Sequence, residues 1–213
     1  MTQYHKIYNV FKRDDKTHKL IEGEYSLPEF EFLRGNNWIA TEKVDGTNIR
    51  IKFSSCDVGT ELSFEGKTDK ATIPTELLSR LNGIFTLDKM IQVFGDNVED
   101  LNVCLYGEGY GGNIQKGKKY KENQDFVLFD VKIGSFWLKR NDICRIADKF
   151  NIDVVPELWH GNLESIVDFV KRGFNSKWGD FIAEGVVARP EIELKARNGA
   201  RIITKIKHKD FLN

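Results

Sequence analysis

Between Trp38 and Phe53 the chain places two apolar arms around a short polar centre. Trp38, Ile39 and Ala40 lead in, Lys43-Val44-Asp45-Gly46-Thr47-Asn48 follows, and Ile49, Ile51 and Phe53 then recur at every second position. A repeat of two marks a strand with one buried face, and Gly46 supplies a tight turn. The β-branched Val44 and Ile49 favour the same reading. The stretch therefore predicts strand, turn, strand: a hairpin with Lys43 near its tip. A lysine at a strand end beside a glycine turn is a candidate nucleophile, and equally an ordinary salt-bridged lysine.

Other segments extend this picture. Pro28 is expected to end any helix or strand before it, and Gly35-Asn36-Asn37 to form a turn. Ser63–Thr68 reads as a strand running into a loop. Thr75 and Glu76 open a helix with Leu77, Leu78 and Leu81 on one face, stopped at Asn82-Gly83. Thr86 starts a second helix with Met90, Ile91 and Phe94 inside, stopped at Gly95-Asp96-Asn97. Val103–Glu108 and Phe126–Val131 are mostly apolar strands. Asn141 or Asp142 is expected to cap a helix reaching Lys149, and Asn162 one that buries Leu163, Ile166, Val167 and Val170 before Gly173. Ile152–Leu158, Phe181–Arg189 and Ile192–Lys195 read as strands, the second interrupted by Gly185; Arg201–Lys207 alternates basic and apolar residues. Many strands with a few irregularly placed helices argue for an α+β fold with mostly antiparallel sheets flanked by helices. No G-x-x-x-x-G-K-[ST] pattern is present, so a P-loop is not supported.

The chain has 213 residues, enough for one domain, or one and a half. Its 32 basic and 32 acidic residues cancel, which argues against coating nucleic acid by bulk charge. Local clusters remain: Lys116, Lys118, Lys119 and Lys121, and the later Arg197, Arg201, Lys205, Lys207 and Lys209. Each is either a solvated face or a phosphate contact. No apolar run approaches the ~18 residues of a membrane span, and the N-terminus leads into no apolar signal region. Cys56, Cys104 and Cys144 form no C-x-x-C pair, which fits reduced thiols in a cytoplasmic protein and gives no zinc signature.

Charged groups rarely sit within apolar runs unless paired or functional. Lys43 and Asp45, Glu108, Asp130 and Glu184 each do so, and Lys205 and Lys207 share a fifth stretch. Carboxylates and lysines recurring together suggest one anionic-ligand site. A nucleoside triphosphate with a divalent metal suits it: Mg²⁺ takes oxygen ligands, lysines hold phosphates as point charges, and a phenylalanine can stack a base.

These stretches resemble, in order, the motifs of the covalent nucleotidyltransferases: ATP-dependent RNA and DNA ligases and mRNA capping enzymes. Lys43-Val44-Asp45-Gly46 is similar to the lysine motif, Leu105–Gly111 to motif III and Phe126–Val131 to motif IIIa. Glu184–Val187 is similar to motif IV, and Lys205-Ile206-Lys207 to motif V. Asn48 stands where many DNA ligases and capping enzymes carry arginine, so the RNA ligase branch fits best, in particular its Rnl2-like group. Gly66-Lys67-Thr68 resembles a Gly-Arg-Thr stretch of these ligases, with lysine in place of arginine.

The resemblance implies a nucleotidyltransferase (adenylylation) fold with the nucleotide site between its sheets. It implies an ATP-dependent RNA ligase joining 5′-phosphate and 3′-OH ends through lysyl-AMP, with Mg²⁺ or Mn²⁺. Lys43 would be the nucleophile, with Lys205 and Lys207 on the phosphates. Glu184 would organise the metal, and Asp45 would assist. Glu108 would bind the ribose hydroxyls, Asn48 the sugar or phosphate, and Phe129 the adenine. Asp130, Glu42 and Lys67 would also contact the nucleotide. The chain ends six residues after Lys207. It is therefore expected to be a single bare nucleotidyltransferase domain over residues 1–213 without an appended C-terminal domain, either naturally minimal or truncated; a monomer is expected. A partner protein could then present the RNA ends. The alternatives are a minimal ATP-dependent DNA ligase, a GTP-using capping enzyme, and a non-catalytic nucleic-acid-binding module of the same fold.

Overall fold

The computed structural model describes residues 3–56, 59–68, 70–95 and 101–212. In chain order its strands are β1 Tyr8–Asn9, β2 Phe11–Arg13, β3 Leu20–Tyr25, β4 Trp38–Glu42, β5 Thr47–Cys56, β6 Gly59–Glu65, β7 Leu101–Tyr110, β8 Asp125–Ile133, β9 Phe136–Trp137, β10 Asp153–Val154, β11 Glu157–Gly161, β12 Gly185–Pro190 and β13 Thr204–Lys207. The helices are α1 Pro28–Phe32, α2 Thr75–Ile84, α3 Leu87–Phe94, α4 Arg140–Phe150 and α5 Leu163–Arg172. The fold is α+β with largely antiparallel sheets. Two compact units divide it. Tyr4 and Asp45–Val155 belong to one; His5–Val44 and the chain from Pro156 onward belong to the other.

In the unit beginning at Asp45, the sheet runs β10-β8-β7-β5-β6, with β9 added on β8. Its pairs are antiparallel except β10 with β8. Ile49, Ile51 and Phe53 are fully buried, as their spacing requires. They join Leu105 and Leu128 beneath Leu77 and Leu81 of α2, Met90 of α3 and Ile143 of α4. The opposite face carries polar rows set by register: Asn48 beside Glu108, and Arg50 beside Tyr106, which in turn lies beside Asp130. The register shifts between Tyr106 and Gly107, leaving Phe129 as the extra residue of β8.

The other unit holds the sheet β1-β13-β12-β4-β11 and the two-stranded pair β2-β3. Leu163, Ile166, Val167 and Val170 of α5 bury against Trp38, Ala40, Val186 and Ile206. Asn162 caps α5 by accepting from Ser165 N–H at 2.8 Å, as expected of an Asn at that position.

Several expectations are corrected. β4 and β5 do not form a hairpin: β4 pairs with β12 and β11, and β5 with β7 and β6. Alternation reveals a strand but not its partner. Gly46 is required for close approach instead, since a Cβ there would lie 2.2 Å from the Gly109 carbonyl oxygen. As expected, no element runs through Pro28, since β3 ends at Tyr25; Pro28 also opens α1, where its missing N–H costs nothing. α2 continues through Asn82 and Gly83 because Ile84 and Phe85 are buried, and burial outweighs glycine's helix penalty. α4 begins at Arg140 after Lys139, without a side-chain cap. The strand expected at Ile152–Leu158 is broken around Pro156 into β10 and β11, which join different sheets. Ile192–Lys195 is not a strand; Lys195 makes only an isolated bridge to Arg201. α3 ends at Phe94 with Gly95 at its C-cap, as expected, while Asp96, Asn97 and the side chain of Cys56 lie outside the described residues. Among the described residues, no helix is long and apolar enough to cross a membrane.

Candidate active site

Three neighbouring strands bring Lys43, Glu184 and Lys207 together. β12 lies between β4 and β13, with Val186 opposite both Glu42 and Ile206, and Gly185 opposite Lys207. Alternation buries Ala40, Glu42, Val186, Ala188, Thr204 and Ile206, and leaves Lys205 and Lys207 partly exposed. Lys43 lies one residue past β4, where its N–H donates to the Gly185 carbonyl at 2.9 Å. Its Nζ donates to Glu184 Oε2 at 2.5 Å, and Lys207 Nζ is 2.7 Å from Glu184 Oε1. One carboxylate thus holds two ammonium groups.

Burial by itself would raise the Glu184 pKa. The charge of Lys43 and the hydrogen bonds from Lys207 and Lys43 outweigh it, and hold the carboxyl below its ordinary value. Glu184 is therefore an anion at neutral pH. Gly185 makes the close approach of β12 to β13 possible. Its φ is +148°, and a Cβ would lie 2.0 Å from the Ile206 carbonyl oxygen.

Glu42 is not brought to this cluster. It is 1% exposed. Its carboxylate accepts from Ser176 Oγ–H at 2.5 Å and from Lys177 N–H at 2.9 Å. Adjacent residues of a strand point to opposite faces, so Glu42 turns away from Lys43. It anchors the loop after α5 instead.

The other unit carries the remaining candidates. Glu108 and Asn48 are partners across β7 and β5, and both are partly buried. Asn48 Oδ1 is buried and, among the described residues, has no hydrogen-bond partner. A buried acceptor of this kind is costly unless a ligand's donor meets it. Phe129 remains partly exposed at the register shift, with the Tyr4 ring at 5.2 Å and edge-on. Asp130 is 2% exposed and accepts from the Tyr4 hydroxyl. Lys67 is exposed in the loop after β6. Asp45 is partly buried, and its N–H donates to the Tyr120 hydroxyl at 3.2 Å.

A family model for RNA ligase matches residues 36–207. The chain belongs to the RNA ligase family. Its fold is also that of solved RNA ligases from Naegleria gruberi. A variant with ATP and Mn superposes with a TM-score of 0.67 at 17% identity, covering 99% of this chain and 59% of that one. The enzyme with PPi gives 0.63 at 19% identity, covering 87% and 53%. Another variant with AMP and Mn gives 0.63 at 17% identity, covering 86% and 53%. The chain thus spans 53 to 59% of the length of these three relatives.

Two features of this RNA ligase family member escape a reading of its sequence. Arg50 is fully buried on the polar face of β5. Its Nε donates to the Gly66 carbonyl at 2.9 Å, and its guanidinium pairs with Glu65 at 2.9 Å. Its place between Ile49 and Ile51 was the available signal, since a charge there must face a second buried surface. The Ser176–Lys177 contact with Glu42 left no signal, because those residues look like an ordinary surface loop.

Proposed function

We propose that this member of the RNA ligase family is an ATP-dependent RNA ligase of the Rnl2-like branch, joining 5′-phosphate and 3′-OH RNA ends. The observation that carries the proposal is the cluster of Lys43, Glu184 and Lys207. A lysine amine attacks only when neutral. Lys43 would surrender its proton and attack the α-phosphorus of ATP. A P–N bond forms, the bond to pyrophosphate breaks, and lysyl-AMP results. AMP then passes to an RNA 5′-phosphate, and a 3′-OH attacks that phosphate and expels AMP. Lys207 and Lys205 would hold phosphate oxygens as charge moves onto the leaving group. Glu108 and Asn48 Oδ1 suit ribose hydroxyls, and Phe129 suits adenine.

Among the described residues, no group of three or more His, Cys, Asp or Glu side chains could hold a metal ion. One anionic carboxylate fits Mg²⁺ or Mn²⁺, which bind through one or two carboxylates plus water and substrate phosphates. Because Lys43 and Lys207 already hold both of its oxygens, Glu184 would hold such an ion through water, and the ion's positive charge would offset the negative charge of the phosphates. The free thiols Cys104 and Cys144 suit a reducing cytoplasm. We take the protein to act as a monomer, with a partner protein presenting RNA ends.

The test is incubation with [α-³²P]ATP or [α-³²P]GTP and Mg²⁺ or Mn²⁺, comparing wild type with Lys43→Ala. Label from ATP on wild type alone, followed by sealing of an RNA nick, is the expected result. A wild-type protein that takes no label, and by mass carries no AMP already, overturns the proposal.

A further inference from the structure

Lys116, Lys118, Lys119 and Lys121 lie in the segment joining β7 to β8. The segment is internally braced. Gly111, Gly112, Ile114, Gly117 and Tyr120 are buried, while Asn113, Lys116, Lys118 and Lys119 are exposed. Gly112 N–H donates to the Lys121 carbonyl at 3.0 Å, and Tyr120 N–H to the Gly117 carbonyl at 2.8 Å. The Tyr120 ring meets Tyr110 edge-on at 6.2 Å. Its hydroxyl accepts from the N–H of Asp45, two residues along the chain from Lys43.

The lysines are not equivalent. Lys121 pairs with Asp125 at 2.5 Å, and Lys119 lies over the Tyr120 ring at 5.1 Å. Among the described residues, Lys116 and Lys118 have no ion-pair partner. The other basic cluster differs: Arg201 is buried against Glu193 and Lys207 is held by Glu184. In a chain with no net charge, the β7–β8 segment therefore holds two cations, Lys116 and Lys118, that have no carboxylate partner among the described residues, on a backbone braced from within. Lysines act as point charges that do not read bases. Several in one short segment match an anion whose charges repeat along a strand.

We propose that the segment from Gly111 to Lys121 docks the phosphodiester backbone of the RNA substrate through Lys116, Lys118 and Lys119. It serves RNA affinity and not formation of lysyl-AMP. The proposal rests on the RNA ligase reading above, and assigns that reading a surface for its substrate.

The experiment compares wild type with Lys116→Glu/Lys118→Glu and Lys116→Gln/Lys118→Gln. Lysyl-AMP formation without RNA is measured first. Binding of a nicked RNA duplex carrying a 5′-phosphate, and of the same strand alone, is then followed across salt concentrations. Both variants should form lysyl-AMP at the wild-type rate. The Gln variant should lose about tenfold in duplex affinity at moderate salt, the Glu variant more, and the slope of log affinity against log salt should fall by about two. Wild-type affinity and slope in both variants, with normal lysyl-AMP formation, overturn this proposal and leave the ligase reading intact. Loss of lysyl-AMP formation along with RNA binding also overturns it, because the lysines would then serve the fold or the nucleotide. A wild-type protein that forms no lysyl-AMP overturns the ligase reading and this proposal together.

Discussion

Lys43 is tied to Glu184 and its neighbour twice: Nζ donates to Glu184 Oε2 at 2.5 Å, and the Lys43 N–H donates to the Gly185 carbonyl at 2.9 Å. The backbone bond sets the register of the strand end, and the ion pair aims the side chain. Both bonds span more than 140 residues of sequence. Side-chain exposure of 22% for Lys43 and 13% for Glu184 keeps the pair largely, but not wholly, out of water.

Glu184→Gln keeps the shape and removes the charge. Lys43 and Lys207 then face each other without a counter-charge. The rate of lysyl-AMP formation should fall on the order of 100-fold. Rapid-quench labelling over a range of Mn²⁺ concentrations checks this, and a rate within twofold of wild type would remove Glu184 from the chemistry.

Gly185→Ala forces a side chain into the Ile206 carbonyl at a backbone angle of +148°. Strain and overpacking together should cost about 2 to 4 kcal/mol in unfolding free energy. Urea denaturation measures it. Lysyl-AMP formation should fall as well, because the Lys43 N–H bonds to this residue's carbonyl.

Glu42→Ala separates a structural role from a nucleotide role. It leaves Ser176 Oγ–H and Lys177 N–H without their acceptor, a loss of about 1 to 3 kcal/mol. The melting temperature should drop while KM for ATP in adenylylation stays near wild type. A tenfold rise in KM at unchanged melting temperature would return Glu42 to the nucleotide.

Asp125 supplies a pH signature. Burial would raise its pKa, but hydrogen bonds from Lys121, Phe126 N–H and Arg80 outweigh this and lower it from 3.8. A lowered folded-state pKa gives stability that is present above the unfolded value, near 3.8, and lost as pH falls through the folded one. Arg80 and Lys121 are about half exposed, so solvent screening limits the effect to about 1 to 2 kcal/mol. Asp125→Asn should lower the melting temperature at pH 7, and the difference from wild type should shrink below pH 3.8. An equal difference at both pH values would show that charge is not the cause.

Local signals were legible where one element carried them alone. Asn162 and the spacing of Leu163, Ile166, Val167 and Val170 announced α5, cap included. Thr86 likewise capped α3, accepting from Lys89 N–H. Gly83 misled because its helix penalty is local, whereas the burial of Ile84 and Phe85 that outweighs it is not. For Glu42 the resemblance implies a nucleotide contact, while strand alternation turns its side chain away from Lys43 and toward Ser176 and Lys177.

The sequence by itself marked the candidates: a lysine three residues before a glycine, carboxylates within apolar strands, and the lysine pair Lys205 and Lys207. It also determined most strands and helices, because caps and periodicity are properties of a few consecutive residues. Tertiary structure alone decided that β4 pairs with β12 and not with β5, and so that Glu184 meets Lys43. Strand partnership and register depend on packing between segments far apart in the chain, and no local pattern encodes them.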